Sequence, residues 1–543
     1  MGNGVARAER SGPPSFRARR VCHASGVVGG ADGVRADSAG WNAASPARQG
    51  TAAPRTISLP SGTTAPDGGH AVPGWLVSVA RSRLAAFVAL VAAGVGILYG
   101  RDPHSLLMPI LYTEDGLWMA KLFNRGIVHT LIHAKGGETP YFVVLNILLL
   151  QSARSLNELV FGASLANLPH FVSGLAMTFY AVLAAAPVFL LRPFLGRPAR
   201  ALLWMLVILM PLGGSSFEVL GRISNIGYGV LFLSVCLLAH RRTLMAPAGW
   251  RAAGIDAGVF LCATTNPLCY PVIAADYVAR VWRLWQRGEA TLVLVRRDAV
   301  ARSGALLAVA LGAAVIGMTQ LRSQPNPFLK DALRWNEVIE ATVARPLLFP
   351  FVFPVYPRLS DVTAIALLVA LGGLGWWLTR GARTERRLFV VAASVAGYAS
   401  VATLAMRPGL THVLAGYSTS LLDRYYYGTS LLVVLAACAA VSAGLRAPDR
   451  ERRAAATVAL TMMIAVYMAS LGLLVERGGS RWRELPAHDF ASVVAAAHEA
   501  TTASQPDAQK VRVDLHPSPW KARFPIENAR ATAAAIAPGT ARR

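Results

Sequence analysis

Long apolar runs recur along most of this chain, and short connections rich in arginine separate them. Each run is about 15 to 25 residues long, the length that an α-helix needs to cross a lipid bilayer. Of the 543 residues, 54% are hydrophobic and only 15% are charged, whereas soluble domains carry roughly 25% charged residues. The pattern predicts an all-α polytopic membrane protein.

About eleven of these runs are predicted transmembrane helices. They cover residues 84–99, 171–191, 201–212, 226–239, 253–263, 271–282, 303–319, 364–378, 389–405, 428–443 and 454–474. With this assignment every strongly basic loop falls on the same side of the membrane. That side is expected to be the cytoplasm, because arginine and lysine collect in cytoplasmic loops. We therefore expect a cytoplasmic N-terminus and an extracytoplasmic C-terminus.

Three apolar stretches outside this set are predicted to lie at the membrane surface. Residues 115–124 and 141–150 read as short interfacial helices in the first outer segment. Residues 347–355 are apolar but contain or adjoin four prolines, which favours a re-entrant or interfacial segment over a spanning one.

The chain divides into three parts by composition. Residues 1–73 have no periodic apolar face and are predicted to be a disordered arm, because they bury too little surface to offset their ordering entropy. Residues 74–475 form the transmembrane domain. Residues 476–543 are a small extracytoplasmic tail, with a helix expected near 490–500 and a strand at 511–515.

The net charge of +24 does not indicate nucleic-acid binding, because the basic residues lie in short loops between spans and in the N-terminal arm. The five cysteines form no CxxC pair and have no metal-ligand spacing. The chain contains neither a phosphate-binding GxxxxGK[ST] loop nor a GxSxG nucleophile motif. These absences argue against a nucleotide-driven motor and a serine hydrolase.

Two adjacent carboxylates, Glu114 and Asp115, follow the first span at the predicted outer edge of the bilayer. Placing a charged group near hydrocarbon costs free energy. Desolvation also raises the pKa of a carboxyl group towards the range suited to a general base. The pair is thus a candidate base or metal ligand in an outward-facing cavity. In the simpler interpretation Asp115 caps the following helix and Glu114 is a solvated loop charge.

Candidate substrate-binding residues occur in two other outer segments. Arg424, Tyr425 and Tyr426 precede the tenth span, and Arg222 and Asn225 lie in the turn between the third and fourth spans. Guanidinium groups beside tyrosine hydroxyls suit a phosphate or pyrophosphate. The alternative is an interfacial aromatic belt with a snorkelling arginine.

Other polar residues give weaker signals. His129 and His133 have the spacing of two metal ligands on one helix face, but a wet interfacial helix explains them equally well. Arg322, Lys330 and Arg334 either contact an anionic head group or form a solvated face. No metal site is predicted, and no cofactor is required, although the chemistry is compatible with a divalent cation.

The order of these features resembles the GT-C superfamily of membrane glycosyltransferases, and more closely a bacterial multi-pass group with Glu-Asp-Gly after the first span. The similarity extends over roughly residues 80–525. It includes an acidic pair in the first outer loop, the cytoplasmic N-terminus and about eleven spans. The matching outer segments are Arg222–Tyr228, Thr265–Pro267, Arg424–Tyr425 and Pro517–Trp520.

This resemblance implies a reaction on the extracytoplasmic side of a bacterial cytoplasmic membrane. A polyprenyl-phosphate sugar donor enters from the outer leaflet, and Arg424, Arg222 and the tyrosines hold its phosphate. Glu114 or Asp115 deprotonates a hydroxyl acceptor on an envelope glycan, lipid or protein, and a single displacement inverts the anomeric carbon.

A second function fits the same outward cavity, namely a transporter or flippase of a lipid-linked glycan that performs no bond chemistry. Transporters commonly contain inverted structural repeats. The sequence has no evident internal repeat, which favours the enzyme.

Overall fold

The computed structural model describes residues 74–134, 141–212, 219–243, 250–286, 288, 307–314, 332–413, 416–417, 423–481, 489–515 and 520–536. The predicted N-terminal arm, residues 1–73, lies outside them. In chain order the α-helices are α1 (Gly74–Arg101), α2 (His104–Leu107), α3 (Thr113–His133), α4 (Val144–Phe161), α5 (Leu168–Leu190), α6 (Arg197–Ile208), α7 (Val230–Arg241), α8 (Trp250–Ala263), α9 (Cys269–Gln286), α10 (Asp361–Leu378), α11 (Arg383–Met406), α12 (Leu410–Val413), α13 (Asp423–Leu445), α14 (Arg450–Arg481), α15 (Phe490–Ser504) and α16 (Ile526–Ile536).

Seven helical segments in the described part of the chain are long and apolar enough to cross a membrane. They are Ser82–Arg101, Leu168–Leu190, Trp335–Arg358, Asp361–Leu378, Arg383–Met406, Arg424–Leu445 and Arg450–Leu471. Six of the seven coincide with predicted spans. The helical, multi-pass character inferred from the sequence is therefore confirmed in this coarse form.

The predicted number of eleven spans is not confirmed. Three of the helices at predicted spans, Arg197–Ile208, Val230–Arg241 and Trp250–Ala263, contain only 12 to 14 residues. At 1.5 Å per residue such helices are about 20 Å long, less than the roughly 30 Å hydrocarbon core. Cys269–Gln286 is longer but carries three charged residues, and predicted span 303–319 lies partly outside the described residues.

The stretch 347–355 is part of a single discontinuous helical segment, Trp335–Arg358, termed the broken helix. Its turns change type along its length, from 3₁₀ to the π-helical Glu340–Leu348, then to a short α-helical turn and a final 3₁₀ turn. Prolines remove backbone donors, and π and 3₁₀ turns are common local adjustments to that loss. The prolines therefore break the regularity of the helix without ending it, and the expected re-entrant segment is replaced by one long enough to span.

An ion pair is buried in the broken helix. Nη2 of Arg345 lies 2.7 Å from Oε1 of Glu340, and both side chains are buried. The hydroxyl of Tyr356 donates to the same carboxylate oxygen at 2.9 Å, and its ring lies under the guanidinium, 4.5 Å from centroid to Cζ. Buried charges at bilayer depth are expensive unless they are paired in this way.

Basic loops from distant parts of the chain meet at one end of the helix bundle, termed the basic end and formed by residues 191–200, 379–386 and 446–453. There Nη1 of Arg446 lies 2.7 Å from Oε1 of Glu385, and Arg446 also contacts the loop before α6. The opposite end, which carries the start of α3, is termed the site end. The structure thus gathers the basic loops on one side, as the sequence pattern predicted.

The most enclosed of the apolar helices is α13, since 83% of its apolar window is buried, compared with 11 to 56% for the other six. It packs against α11, α14, α6 and the broken helix. A helix surrounded in this way forms the centre of the bundle, and its first turn lies at the site end.

The first outer segment folds into two helices, close to the two predicted interfacial ones. The predicted 115–124 is part of α3, which kinks at Gly126, where φ is +74°. The predicted 141–150 overlaps α4 (Val144–Phe161), which packs along α3 and α5. Both helices are longer than expected.

The polar tail forms a small C-terminal module of residues 489–515 and 520–536. It consists of α15, an antiparallel pair of strands, β1 (Lys510–Asp514) and β2 (Lys521–Pro525), and α16. The helix and the first strand match the sequence-based prediction. The second strand and α16 were not predicted, and they supply the rest of the module's small core.

The C-terminal module packs directly on α3. A Cβ at Gly116 would lie 2.6 Å from the methyl carbons of Leu515, so the Leu515 side chain would have to move to accommodate any larger residue there. Nδ2 of Asn124 donates to the carbonyl of Arg523 at 2.7 Å. The tail therefore supports the helix that begins with the acidic pair.

A first prediction concerns the contact between α13 and the turn before α7. Gly428 of α13 lies directly against the carbonyl oxygen of Tyr228, where a Cβ has no room. Gly428→Ala should destabilise the protein by about 1–3 kcal/mol through overpacking against backbone, and lower its Tm in detergent. Gly397→Ala in α11, where a Cβ meets nothing within 4 Å, is the matched control. Equal Tm values for the two variants would contradict this packing.

Candidate functional site

The acidic pair begins α3 at the site end of the bundle. Tyr112 precedes the helix in an extended conformation, and Glu114 and Asp115 occupy the first turn. Their adjacency sends the two side chains to different environments, because neighbouring helical positions point about 100° apart. Asp115 is fully buried and Glu114 is half-buried.

Asp115 binds the backbone of a turn that is more than a hundred residues away in sequence. Its carboxylate accepts the N–H of Ile223 at 3.2 Å and of Ser224 at 2.6 Å. The same turn is held from its other side by Asn146, whose Nδ2 donates to the carbonyl of Ile223 at 2.6 Å. Asp115 therefore does not cap its own helix, as the simpler interpretation proposed, but joins α3 to the turn before α7.

Arg222 is buried within the protein rather than facing an outer cavity. Its side chain is 1% exposed, donates from Nη1 to the carbonyl of Ile110 at 2.6 Å, and lies 5.4 Å from the ring centroid of Tyr112. Its charge acts on the carboxylates of both Asp115 and Asp102. The position predicted to hold substrate is thus that of a counter-ion for buried acids, and Asn225 beside it is buried as well.

Burial raises the pKa of Asp115 to about 7. The charge of Arg222 and the two backbone N–H groups lower it, and the neighbouring Glu114 raises it further, but loss of hydration dominates. Burial likewise raises the pKa of Asp102, where the hydrogen bond from Ser105 opposes the effect. Asp115 lies outside the seven apolar segments, and it titrates close to neutral pH.

Glu114 is the accessible member of the pair. One of its oxygens accepts the hydroxyl of Thr113 at 2.8 Å, and the side chain is partly exposed. A proton acceptor has to come within hydrogen-bond distance of the hydroxyl that it activates. Access favours Glu114 over Asp115 for this role.

Arg424 and Tyr425 begin α13 and form a second cluster, to which the structure adds Arg407. Cζ of Arg407 lies 4.2 Å from the Tyr425 ring centroid and Cζ of Arg424 lies 4.9 Å from it. Nη2 of Arg424 donates to the Tyr425 hydroxyl at 3.0 Å. The sequence contained a signal for Arg407 that was missed, since an arginine at the outer end of a span runs against the positive-inside tendency.

The two clusters are connected through the turn that Asp115 holds. Tyr228, four residues after Ser224, places its ring edge-on to Tyr425 with centroids 5.4 Å apart at 80°. The predicted Asn-Pro turn joins them here, because Nδ2 of Asn266 donates to the carbonyl of Gly227 at 2.9 Å. Thus the segments 223–228 and 264–266 and the start of α13 meet at one place.

Tyr426 points away from this cluster. It is buried, and it lines a small cavity of about 10 Å³. The residues lining the cavity are Met210, Pro211, Leu212, Arg345, Phe349, Tyr426, Tyr427 and Ser430. Neither Glu114 nor Arg424 is among them, so the expected single cavity shared by the acidic pair and both arginines is not the one observed.

His129 and His133 share one face of α3, as their spacing predicted. Their rings stack with centroids 4.4 Å apart, and Arg125 contacts His129 at 3.1 Å. Over the described residues, no three His, Cys, Asp or Glu side chains come close enough together to hold a metal ion. The basic residues Arg322 and Lys330 lie outside the described residues.

A second prediction follows from the pKa of Asp115. In the unfolded chain an aspartate titrates near 3.9, so between about pH 4 and pH 7 the folded state holds a proton that the unfolded state has lost. The contribution of Asp115 to the free energy of unfolding should therefore decrease as pH rises through that window, by a few kcal/mol in total. Above pH 7 it should level off. Asp115→Asn should remove this decline when Tm is measured in detergent across the window.

The exposed Asp507 of the C-terminal module provides the matched control. Asp507→Asn should keep the wild-type dependence of Tm on pH. If Asp115→Asn also keeps it, Asp115 does not titrate near 7 and is ionised throughout.

No known family model matches the chain, and no curated protein is significantly similar to it. The physical arrangement of the site end is therefore the basis for proposing a function.

Proposed function

We propose that the protein is an integral membrane glycosyltransferase that moves a sugar from a polyprenyl-phosphate donor to a hydroxyl acceptor on the extracytoplasmic side. One observation supports this more than any other. The turn that Asp115 binds at residues 223 and 224 carries Tyr228, which packs on the arginine–tyrosine cluster of α13. A single turn thereby connects the helix that begins with the acidic pair to the arginine–tyrosine cluster, an arrangement that suits transfer from a phosphorylated donor.

In the proposed reaction Glu114 accepts the proton of the acceptor hydroxyl. The acceptor oxygen forms a bond to the anomeric carbon while the bond from that carbon to the phosphate oxygen breaks. The lipid phosphate leaves with the electrons of that bond, and one displacement inverts the anomeric centre. A base placed in this way typically contributes 10² to 10⁴ in rate.

Asp115 and Arg222 act as positioning residues in this proposal. Both are buried and bonded to backbone, so they set the direction of the first turn of α3 rather than contacting substrate. The phosphate is assigned to Arg424 and Tyr425, which are only half-buried. Tyr426 and Asn225 support these residues from within the bundle. The proposal requires no cofactor, and a divalent cation would find its accessible carboxylate at Glu114.

The orientation proposed for the protein in a bacterial cytoplasmic membrane follows from charge. The basic end carries the arginine-rich loops and is assigned to the cytoplasm. The site end and the C-terminal module are then extracytoplasmic, on the side where a lipid-linked sugar and an envelope glycan, lipid or protein would meet.

A transporter or flippase of a lipid-linked glycan is the second candidate, and the broken helix favours it. Transporters bind substrate at interrupted helices near the middle of the membrane, and Trp335–Arg358 is interrupted and contains the buried Glu340–Arg345 pair. Movement of labelled lipid across vesicles without sugar transfer would support this candidate over the enzyme.

A third prediction tests the base. The full-length protein in nanodiscs, incubated with a synthetic polyprenyl-phosphate sugar, should release or transfer sugar. Glu114→Gln should reduce the rate by roughly 10² to 10⁴, because the proton acceptor is lost while the shape of the side chain is kept. Runs with magnesium and with a chelator separate a proton-transfer role from a metal-ligand role.

Glu158→Gln is the matched control, since Glu158 pairs with Arg154 on the exposed side of α4. Its rate should equal that of the wild type. Full activity of Glu114→Gln would show that the base has been assigned to the wrong residue.

A fourth prediction tests the orientation. The four described cysteines are buried, so in a Cys22→Ser background an introduced exposed cysteine can be labelled selectively. In spheroplasts, Ala503→Cys in α15 should react with a membrane-impermeant maleimide, whereas Thr384→Cys at the start of α11 should react only after permeabilisation. The reverse result would invert the proposed topology.

A further inference from the structure

Arg407 and Arg424 come from different helices and converge on a single phenol. Arg407 immediately follows the last residue of α11, and Arg424 lies in the first turn of α13. Nη2 of Arg424 donates to the Tyr425 hydroxyl at 3.0 Å, and both guanidinium groups lie within 5 Å of the Tyr425 ring centroid. Their two Cζ atoms are therefore no more than about 9 Å apart, a span that one phosphate group and its oxygens can bridge.

Tyrosine hydroxyls surround the two cations. Both guanidinium groups act electrostatically on Tyr228, and Arg407 also acts on Tyr141. In the part of the chain that is described, the neighbours that raise the pKa of Arg407 against its burial are these tyrosines and Tyr425. Phenol hydroxyls can donate to an anion as well as accept from an arginine.

Two like charges held this close in a half-buried setting repel each other, and an anion between them converts the repulsion into attraction. The helix geometry adds to this preference. Arg424 lies at the N-terminus of a 23-residue helix, where unsatisfied N–H groups and the helix dipole disfavour a cation and favour an anion. Arginine forks match the geometry of phosphate oxygens better than lysine does.

From this geometry we infer that Arg407 and Arg424 together form a binding site for a phosphate group beside Tyr425, whose ring both guanidinium groups contact. The inference rests on the proposed function for its substrate, and it adds Arg407 as the second phosphate-binding residue. The site lies where α11 and α13 end at the bundle surface, the level at which a lipid head group lies. A phosphate on a lipid and a free phosphate share this chemistry.

The test is direct binding to full-length protein in nanodiscs, without any sugar. A short-chain prenyl phosphate is titrated, with inorganic phosphate and the uncharged prenyl alcohol as parallel probes. Arg407→Gln should weaken binding of the prenyl phosphate by roughly tenfold to a hundredfold, as expected for loss of a charge-assisted hydrogen bond. Arg407→Lys should recover part of the loss, and binding of the alcohol should not change.

Arg386→Gln is the matched control, because Arg386 is a half-buried arginine of the same helix that stacks on Trp376, with Cζ 3.6 Å from the ring centroid, at the basic end. It should bind the prenyl phosphate as the wild type does. Tyr425→Phe keeps the ring but removes the hydroxyl to which Arg424 donates, and should weaken binding several-fold even if Arg407→Gln does not fold. Wild-type affinity in both Arg407→Gln and Tyr425→Phe would overturn the inference.

The probes separate the two sources of phosphate, since inorganic phosphate competing as strongly as the lipid indicates a free anion. They also separate this inference from the proposed function. If phosphate binding depends on Arg407 but no sugar is transferred, the phosphate site is supported and the proposed glycosyltransferase function is contradicted. If Arg407→Gln does not affect sugar transfer, the proposed glycosyltransferase function is supported and the phosphate site is contradicted.

Discussion

The buried carboxylate of Asp115 is the interaction on which the arrangement of the site end depends. It is fully enclosed and binds two consecutive backbone N–H groups of a turn 108 residues away, with Arg222 as the nearby positive charge. Removing the acceptor of a buried N–H group typically costs about 1–3 kcal/mol, because the donor is left unsatisfied. Forming the interaction costs free energy because the carboxylate is buried, but once formed it fixes the position of the turn. This suits a residue that sets the direction of its neighbour, Glu114.

Close contacts of the same turn also fix the position of the arginine–tyrosine cluster. The turn held by Asp115 continues to Tyr228, whose carbonyl lies against Gly428 and whose ring lies against Tyr425. The C-terminal module supports the other side of α3 through Leu515 and Gly116. Preorganised polar groups lose little free energy to reordering when a substrate binds, which fits the function proposed for the site end.

Much of the fold could be predicted from periodicity and charge, but the roles of individual site residues could not. Six predicted spans appear as long apolar helices, and the basic loops meet at one end of the bundle. The length of the broken helix could not be predicted, because proline frequency cannot reveal that π and 3₁₀ turns absorb the irregularity and keep the segment long enough to span. Arg222 was assigned to substrate, since a sequence does not show whether a guanidinium faces water or a buried acid. Arg407 was overlooked because it has no neighbouring motif.

The sequence by itself determined that this protein is a helical membrane protein with basic loops on one side and an acidic pair at the other. Hydrophobic transfer and positive-charge bias depend on composition along short windows, and a sequence contains that information completely. Only the tertiary structure decided which member of the acidic pair is buried, that Arg222 is its counter-ion, and that Arg407 meets Arg424 at Tyr425. Those outcomes depend on contacts between segments tens to hundreds of residues apart, where burial and pairing change the chemistry of a side chain without changing its identity.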